Sequence, residues 1–155
     1  MKKILAVASL GGHWIQLLRI TAPMEKECEV CYMSTHSKCA AMVNGKDFFT
    51  MPDFSRWDAY RLLPAFCKAV KVLRRTRPDA VISTGAAPGL VVVIAARLTG
   101  IRAIWIDSFA NASQLSMCGR IASRIASATF TQWPQLADKN VEYAGNVLGK
   151  TTSEK

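Results

Sequence analysis

Short apolar runs alternate along this chain with stretches of helical periodicity, and that alternation constrains the fold more than any other feature. The runs at 3–8, 29–34, 80–83, 103–106 and 128–131, and a weaker one at 47–51, read as strands. Between them, 12–24, 64–76, 89–99 and 117–126 read as helices, with a short helical piece at 38–43. No tight two-residue hairpin signal joins neighbouring runs. Successive strands are therefore expected to pair in parallel, in an α/β fold whose mostly parallel sheet carries helices on both faces. Arg77-Pro78-Asp79 marks a helix-to-strand boundary, and Gly100 stands where a helix should end.

A chain of 155 residues is long enough for one domain with a real core. The expected domain is 1–148, followed by a polar tail over 149–155 that should fray. With 50% hydrophobic and 20% charged residues, the chain reads as globular, not disordered. A net charge of +9 points to anionic partners, phosphate groups or acidic lipids. Nucleic acid ranks below these, because no basic cluster alternates with aromatics as in a single-strand reader. No segment reads as a membrane span: the longest uncharged run, 80–96, is broken by Gly85, Pro88 and Gly89.

Five cysteines and no signal peptide favour reduced thiols in a cytosolic compartment. Cys28 and Cys31 have redox or zinc spacing, but no second pair completes a four-ligand site. On a strand the two thiols would point to opposite faces. No metal site is expected.

The loops carry the candidate chemistry. After the first strand, Ser9-Leu10-Gly11-Gly12-His13 leads straight into a helix. It lacks the third glycine of the dinucleotide fingerprint, and no acid ends the second strand, so a NAD site is not supported. Nor does a Gly-Lys-Ser/Thr make it a P-loop. What remains is a glycine turn at a helix N-terminus, suited to a phosphate or a developing anion. His13 is then either a general base or a cap of its own helix. After the fourth strand, Ser83-Thr84-Gly85-Ala86-Ala87-Pro88-Gly89 forms a second small-residue loop on the same sheet edge. After the fifth, Asp107, Ser108 and Asn111 could hold a hydroxyl-rich ligand, or Asp107 could serve as a helix cap or an arginine partner. Gln132-Trp133-Pro134 closes a loop after the sixth.

From Arg56 to Arg77 there are seven basic residues against a single acid, Asp58. Leu63, Phe66, Val70 and Leu73 are expected on one helical stripe, with Lys68, Lys71 and Arg75 around the other side. Two compatible readings stand: a surface helix with a solvated basic face, or an interfacial helix on anionic lipid. In the second, Trp57, Lys68, Lys71, Arg74 and Arg75 would touch the membrane.

Together, Gly-Gly-His at 11–13, Arg-Pro-Asp-Ala-Val-Ile-Ser-Thr-Gly at 77–85, Asp-Ser-Phe-Ala at 107–110 with Gln-Leu-Ser at 114–116, and Phe-Thr-Gln-Trp-Pro-Gln-Leu at 130–136 carry a resemblance. They resemble the small acceptor-side subunit of two-part UDP-sugar glycosyltransferases. That group includes the anchor subunit of the dolichol-linked second GlcNAc transferase and bacterial exopolysaccharide subunits of the PssD type. More distantly, the chain is similar to the amino-terminal half of the undecaprenyl-linked GlcNAc transferase of peptidoglycan synthesis.

The resemblance implies a Rossmann-like domain equivalent to the amino-terminal half of a GT-B enzyme. It would hold a polyprenyl-pyrophosphate-linked saccharide acceptor, while a separate donor-binding subunit carries the UDP-sugar. No cofactor is expected in this chain. His13 matches the family's glycine-loop histidine and is the expected catalytic base. Ser9, Gly11, Gly12, Thr84, Gly85, Asp107, Ser108 and Asn111 are the expected acceptor- and phosphate-binding residues. Asp107 stands where relatives carry glutamate, and Asn111 where many carry arginine. The chain begins at its first strand, so it resembles the bacterial form without a membrane anchor. Its expected place is peripheral, on the cytoplasmic face of the membrane. The rival readings are a non-catalytic adaptor that recruits the partner transferase, and a stand-alone nucleotide-binding protein.

Overall fold

The computed structural model describes residues 1–55 and 58–149. In chain order the elements are β1 (Lys2–Val7), α1 (Gly12–Thr21), β2 (Cys28–Ser34), β3 (Phe48–Thr50), α2 (Leu62–Thr76), β4 (Ala80–Ser83), α3 (Ala86–Leu98), β5 (Arg102–Ile106), α4 (Met117–Ile125), β6 (Ala128–Thr131) and β7 (Glu142–Tyr143). Among the described residues these strands form one seven-stranded sheet, ordered β3-β2-β1-β4-β5-β6-β7. Every neighbouring pair is parallel. The α/β reading therefore holds.

Each face of the sheet has its own core. On one side α2, α3 and α4 cover Leu5, Val7, Val81, Ala103 and Trp105. On the other, Trp14 and Leu17 of α1 pack on Ile4, Ala6, Val30, Tyr32 and Ile82. Strands buried on both faces need continuous apolar sequence, which is how β1 reads. Cys31 lies in the first core and Cys28 against the second, on opposite faces of β2 as expected. Burial pushes the Cys31 thiol up to about 11, and it donates to the Ile4 carbonyl at 3.3 Å, so it is an inert packing group. Among the described residues no His, Cys, Asp and Glu cluster could hold a metal ion.

Several boundaries differ from expectation. Helix α1 ends at Thr21, not near Met24, because Pro23 has no N–H to extend the ladder; a 3₁₀ turn, Met24–Lys26, follows. The piece near 38–43 is a 3₁₀ helix, Ser37–Met42, with Lys38 N donating to His36 Nδ1 at 3.1 Å. Helix α3 starts at Ala86, three residues before the expected Gly89. Pro88 sits in its first turn, where a missing N–H breaks no intrahelical bond. Strand β7 was not anticipated, since two residues carry no periodicity. The expected tail, from Lys150 on, lies outside the described residues.

The largest correction concerns α2. Its buried face is Ala65, Ala69, Val72, Leu73 and Thr76. Of the expected stripe, Leu73 is buried and Phe66 and Val70 pack partly buried against the core, and only Leu63 lies outside it. Small residues at 65 and 69 let α2 lie close to its neighbours. The larger apolar side chains are thereby rotated outward: Leu62 is 49% and Leu63 70% exposed. Leu62, Leu63 and Phe66 join Val91 and Ile94 around an open apolar depression of about 240 Å³.

Candidate functional site

In a parallel sheet, the strand order reverses where successive crossovers leave in opposite directions, and a crevice opens there at the carboxyl ends. Here that point lies between β1 and β4, the strands that precede the glycine loop and the small-residue loop. β5 adjoins β4, so the loops after β1, β4 and β5 share one edge.

The first two loops are joined directly. His13 Nδ1 lies 3.1 Å from the Thr84 carbonyl oxygen, and the Thr84 hydroxyl donates to the His13 carbonyl at 2.7 Å. A carbonyl only accepts, so Nδ1 must carry the proton in this pair. Neutral His13 is then the tautomer whose Nε2 holds the lone pair, and among the described residues Nε2 has no partner. His13 does not cap its own helix: Gly11 is the α1 N-cap, and no side chain caps there. Gly85 is the α3 N-cap, also without a side-chain cap. Two helix N-termini therefore present uncapped N–H groups beside one half-buried imidazole, an arrangement that favours an anion.

Backbone geometry makes glycine necessary at both turns. Gly11 has φ +104° and Gly85 φ +146°, where L side chains are strained. At Gly85 a Cβ would also overlap the His13 ring, lying 2.5 Å from Cε1 and 3.1 Å from Cγ. Ala86 follows with φ +66°, a left-handed conformation that costs a non-glycine residue of order 1 kcal/mol. Strain at the mouth of a crevice is a mark of a site whose shape is set by something other than stability.

The loop after β5 behaves differently from expectation. Asp107 is 2% exposed, and both of its carboxylate oxygens are engaged within the chain. Oδ1 accepts from the Ser116 hydroxyl at 2.6 Å and the Trp105 indole at 3.1 Å; Oδ2 accepts from Ser116 N at 3.0 Å and Asn111 Nδ2 at 3.2 Å. It is neither a helix cap nor an arginine partner but the internal anchor of the 107–116 loop. Ser116 in turn caps α4 by accepting from Gly119 N. Asn111 spends one side-chain donor on the same anchor. Ser108 Oγ accepts from Ala110 N at 3.2 Å, closing a local turn. Ser9 is 9% exposed, between β1 and the glycine turn.

The structure thus brings His13, Thr84 and Gly85 into contact, with Gly11 and Gly12 on the same turn. Asp107, Ser108 and Asn111 stand on the adjoining loop, held by their own contacts. The basic residues of α2 lie elsewhere, along a helix running away from this edge. Among them Arg75 stacks over the Phe49 ring at 5.8 Å, and Trp57 falls outside the described residues. Gln16 and Gln132 bind the loop backbones; Gln132 closes a loop as the sequence suggests, and Gln16 was not anticipated. A polar side chain beside Leu17, on the buried face of α1, was the signal available for Gln16.

Residues 58–147 match the model of the family described as "Oligosaccharide biosynthesis protein Alg14 like". Over 89 residues the chain is 32% identical to the UDP-N-acetylglucosamine transferase subunit ALG14 of Yarrowia lipolytica, covering 52% of this chain and 41% of that protein. Over 85 residues it is 39% identical to the UDP-N-acetylglucosamine–N-acetylmuramyl-(pentapeptide) pyrophosphoryl-undecaprenol N-acetylglucosamine transferase of Nitrobacter hamburgensis, covering 55% of this chain and 21% of that one. Among solved structures, MurG of Acinetobacter baumannii superposes with a TM-score of 0.79 at 17% identity, over 94% of this chain and 46% of that one. A UDP-N-acetylglucosamine 2-epimerase from Rickettsia bellii gives 0.73 at 17% identity, over 96% and 46%. The chain spans less than half the length of each of these relatives. It has the Rossmann-like fold of the amino-terminal half of a GT-B glycosyltransferase, and it belongs to the Alg14-like family of oligosaccharide biosynthesis proteins.

Proposed function

We propose that this chain is the acceptor-binding subunit of a two-chain inverting glycosyltransferase. It transfers a sugar from a UDP-sugar, held by a donor-binding partner, to a saccharide linked to a polyprenyl pyrophosphate. One observation carries the reading: an imidazole held through Nδ1 by the Thr84 carbonyl, with Nε2 unpartnered, beside the uncapped N-termini of α1 and α3.

In this mechanism Nε2 takes the proton from the acceptor hydroxyl as its oxygen forms a bond to the donor's anomeric carbon. The bond from that carbon to the UDP oxygen breaks, UDP leaves with the electron pair, and the configuration inverts. The N–H groups of the two turns would hold the acceptor's pyrophosphate or the developing oxyanion. A GT-B cleft closes between two domains and the described residues form one sheet, so in this reading the donor-binding half comes from the partner. The relatives' names support the class: one is a transferase subunit, and the other acts on a pyrophosphoryl-undecaprenol.

The test is reconstitution. The purified chain should transfer no label from UDP-sugar to a polyprenyl-pyrophosphate saccharide by itself, and should do so once the donor-binding chain is added. Robust turnover by the single chain would refute the divided site. Tight binding of UDP-sugar by the chain alone would instead support a stand-alone nucleotide-binding protein.

The proposal places the chain peripherally at the cytoplasmic face of the membrane. No helix among the described residues is long and apolar enough to cross one. Support comes from Tyr60, in the turn before α2 and 73% exposed, and Leu63, at its start and 70% exposed, on a segment that carries Lys68 and Lys71 further along. Replacing Lys68, Lys71, Arg74 and Arg75 with glutamine should cut sedimentation with anionic vesicles at low salt by at least about tenfold. Each cation near such a surface contributes about 1 kcal/mol. Unchanged binding would leave the basic face merely solvated.

A further inference from the structure

Three segments meet around one backbone carbonyl. The Asp107 carbonyl oxygen accepts from Gln16 Nε2 at 3.1 Å and from Gln132 Nε2 at 3.1 Å, one glutamine from α1 and the other from the loop after β6. The far end of each amide is also used. Gln16 Oε1 accepts from Phe109 N at 3.1 Å, and Gln132 Oε1 accepts from Val147 N at 2.9 Å. Both side chains are buried, at 6% and 3% exposure. The loop after β6 adds Trp133 Nε1, donating to the Phe109 carbonyl at 2.7 Å, and Gln135 Nε2, donating to Ala112 O at 3.1 Å. The Phe109 and Trp133 rings lie 4.9 Å apart.

We propose that Gln16 is a positioning residue for His13, its amide locking the first turns of α1 to the loop after β5. This rests on the reading of His13 as the base of the crevice. The physical case begins with the bare helix start. The first turn of α1 has no side-chain cap, so its ends are free to fray, and His13 lies within it. Two tethers replace the cap. His13 and Thr84 tie that turn to the loop after β4, and Gln16, one turn on, ties the helix to the loop after β5.

Two tethers on neighbouring loops set the rotation of α1 about its axis, which a single one would leave free. The residue type follows from the partners. A carbonyl and an N–H offered side by side require a donor and an acceptor on one planar group, and an amide supplies both. A methionine has the same reach and neither function.

The experiment uses the ¹⁵N-labelled wild-type chain and the Gln16→Met variant, at a pH where imidazole is neutral. In the wild-type chain the His13 ring nitrogens should report the Nδ1–H tautomer, and the Phe109 and Val147 amides should exchange slowly. In Gln16→Met the His13 ring should move toward the Nε2–H form preferred in water. The Phe109 amide should exchange about tenfold faster or more, while Val147, still held by Gln132, keeps its rate. A folded variant in which either the tautomer or the Phe109 rate is unchanged overturns the proposal. If Gln16→Met does not fold, the wild-type chain decides: a Phe109 amide exchanging at the rate of an unprotected peptide overturns it, and a protected one with an Nδ1–H ring supports it. All of these readouts come from the chain alone, so they test the clamp whether or not the chain takes part in sugar transfer.

Discussion

Replacing His13 with alanine is expected to lower transfer by the reconstituted two-chain enzyme by about a hundredfold or more, the range that removal of a general base produces. Binding of the partner should survive, because the substitution removes a half-buried side chain held by a bond to the Thr84 carbonyl. The loss should fall on kcat more than on the acceptor KM, since deprotonation belongs to the transition state. The same measurement separates the rival role. An adaptor that only recruits its partner would keep near wild-type turnover with alanine at this position.

Gly85→Ala should do comparable damage by another route. At φ +146° an alanine is strained by its backbone, and its Cβ would overlap the His13 ring. The ring must leave the Thr84 carbonyl, which releases the tautomer that holds a lone pair on Nε2. Transfer is therefore expected to fall by about tenfold or more, with a loss of about 1–3 kcal/mol in folding stability. Gly12→Ala is the control. A Cβ there meets nothing within 4 Å, and the position has no positive φ, so stability should change little. If Gly85→Ala retains full transfer in a complex of normal stability, the close approach of the two loops is not needed for the chemistry.

Much of the fold was legible because periodicity is a local property. Strands such as Ile4–Val7 and Val81–Ser83 are buried on both faces, and continuous apolar runs announce that. Boundaries were less legible where a hydrogen-bond ladder, not a pattern, decides them, as at Pro23. On α2, Leu73 is core and Phe66 and Val70 border it as the periodicity implies, but Leu63 is exposed and Ala65 and Ala69 take the centre of the buried face. Hydropathy ranks leucine above alanine as core, whereas close helix packing favours the smaller residue. Leu63 thereby adds to an exposed apolar surface at the start of α2.

The candidate site shows the same division. A glycine turn with a histidine was visible at once, and so was the likeness to acceptor-side subunits, from loops lying far apart in the chain. Asp107 was visible as an acid at a strand end, but not as one already saturated by Ser116, Asn111 and Trp105. A carboxylate that anchors a loop and one that awaits a ligand have the same letter.

By itself, then, the sequence determined the α/β class, the parallel pairing, the Gly-Gly-His turn and the family, because each rests on residue types at fixed local spacing. Tertiary structure alone decided which nitrogen of His13 is free, why Gly85 must be glycine, that Asp107 turns inward, and that Gln16 and Gln132 share one carbonyl. The Asp107 anchor depends on how one short loop folds back on itself, and the other facts on groups tens of residues apart arriving within hydrogen-bond distance. Only the strand order that sets β1, β4 and β5 side by side brings them there.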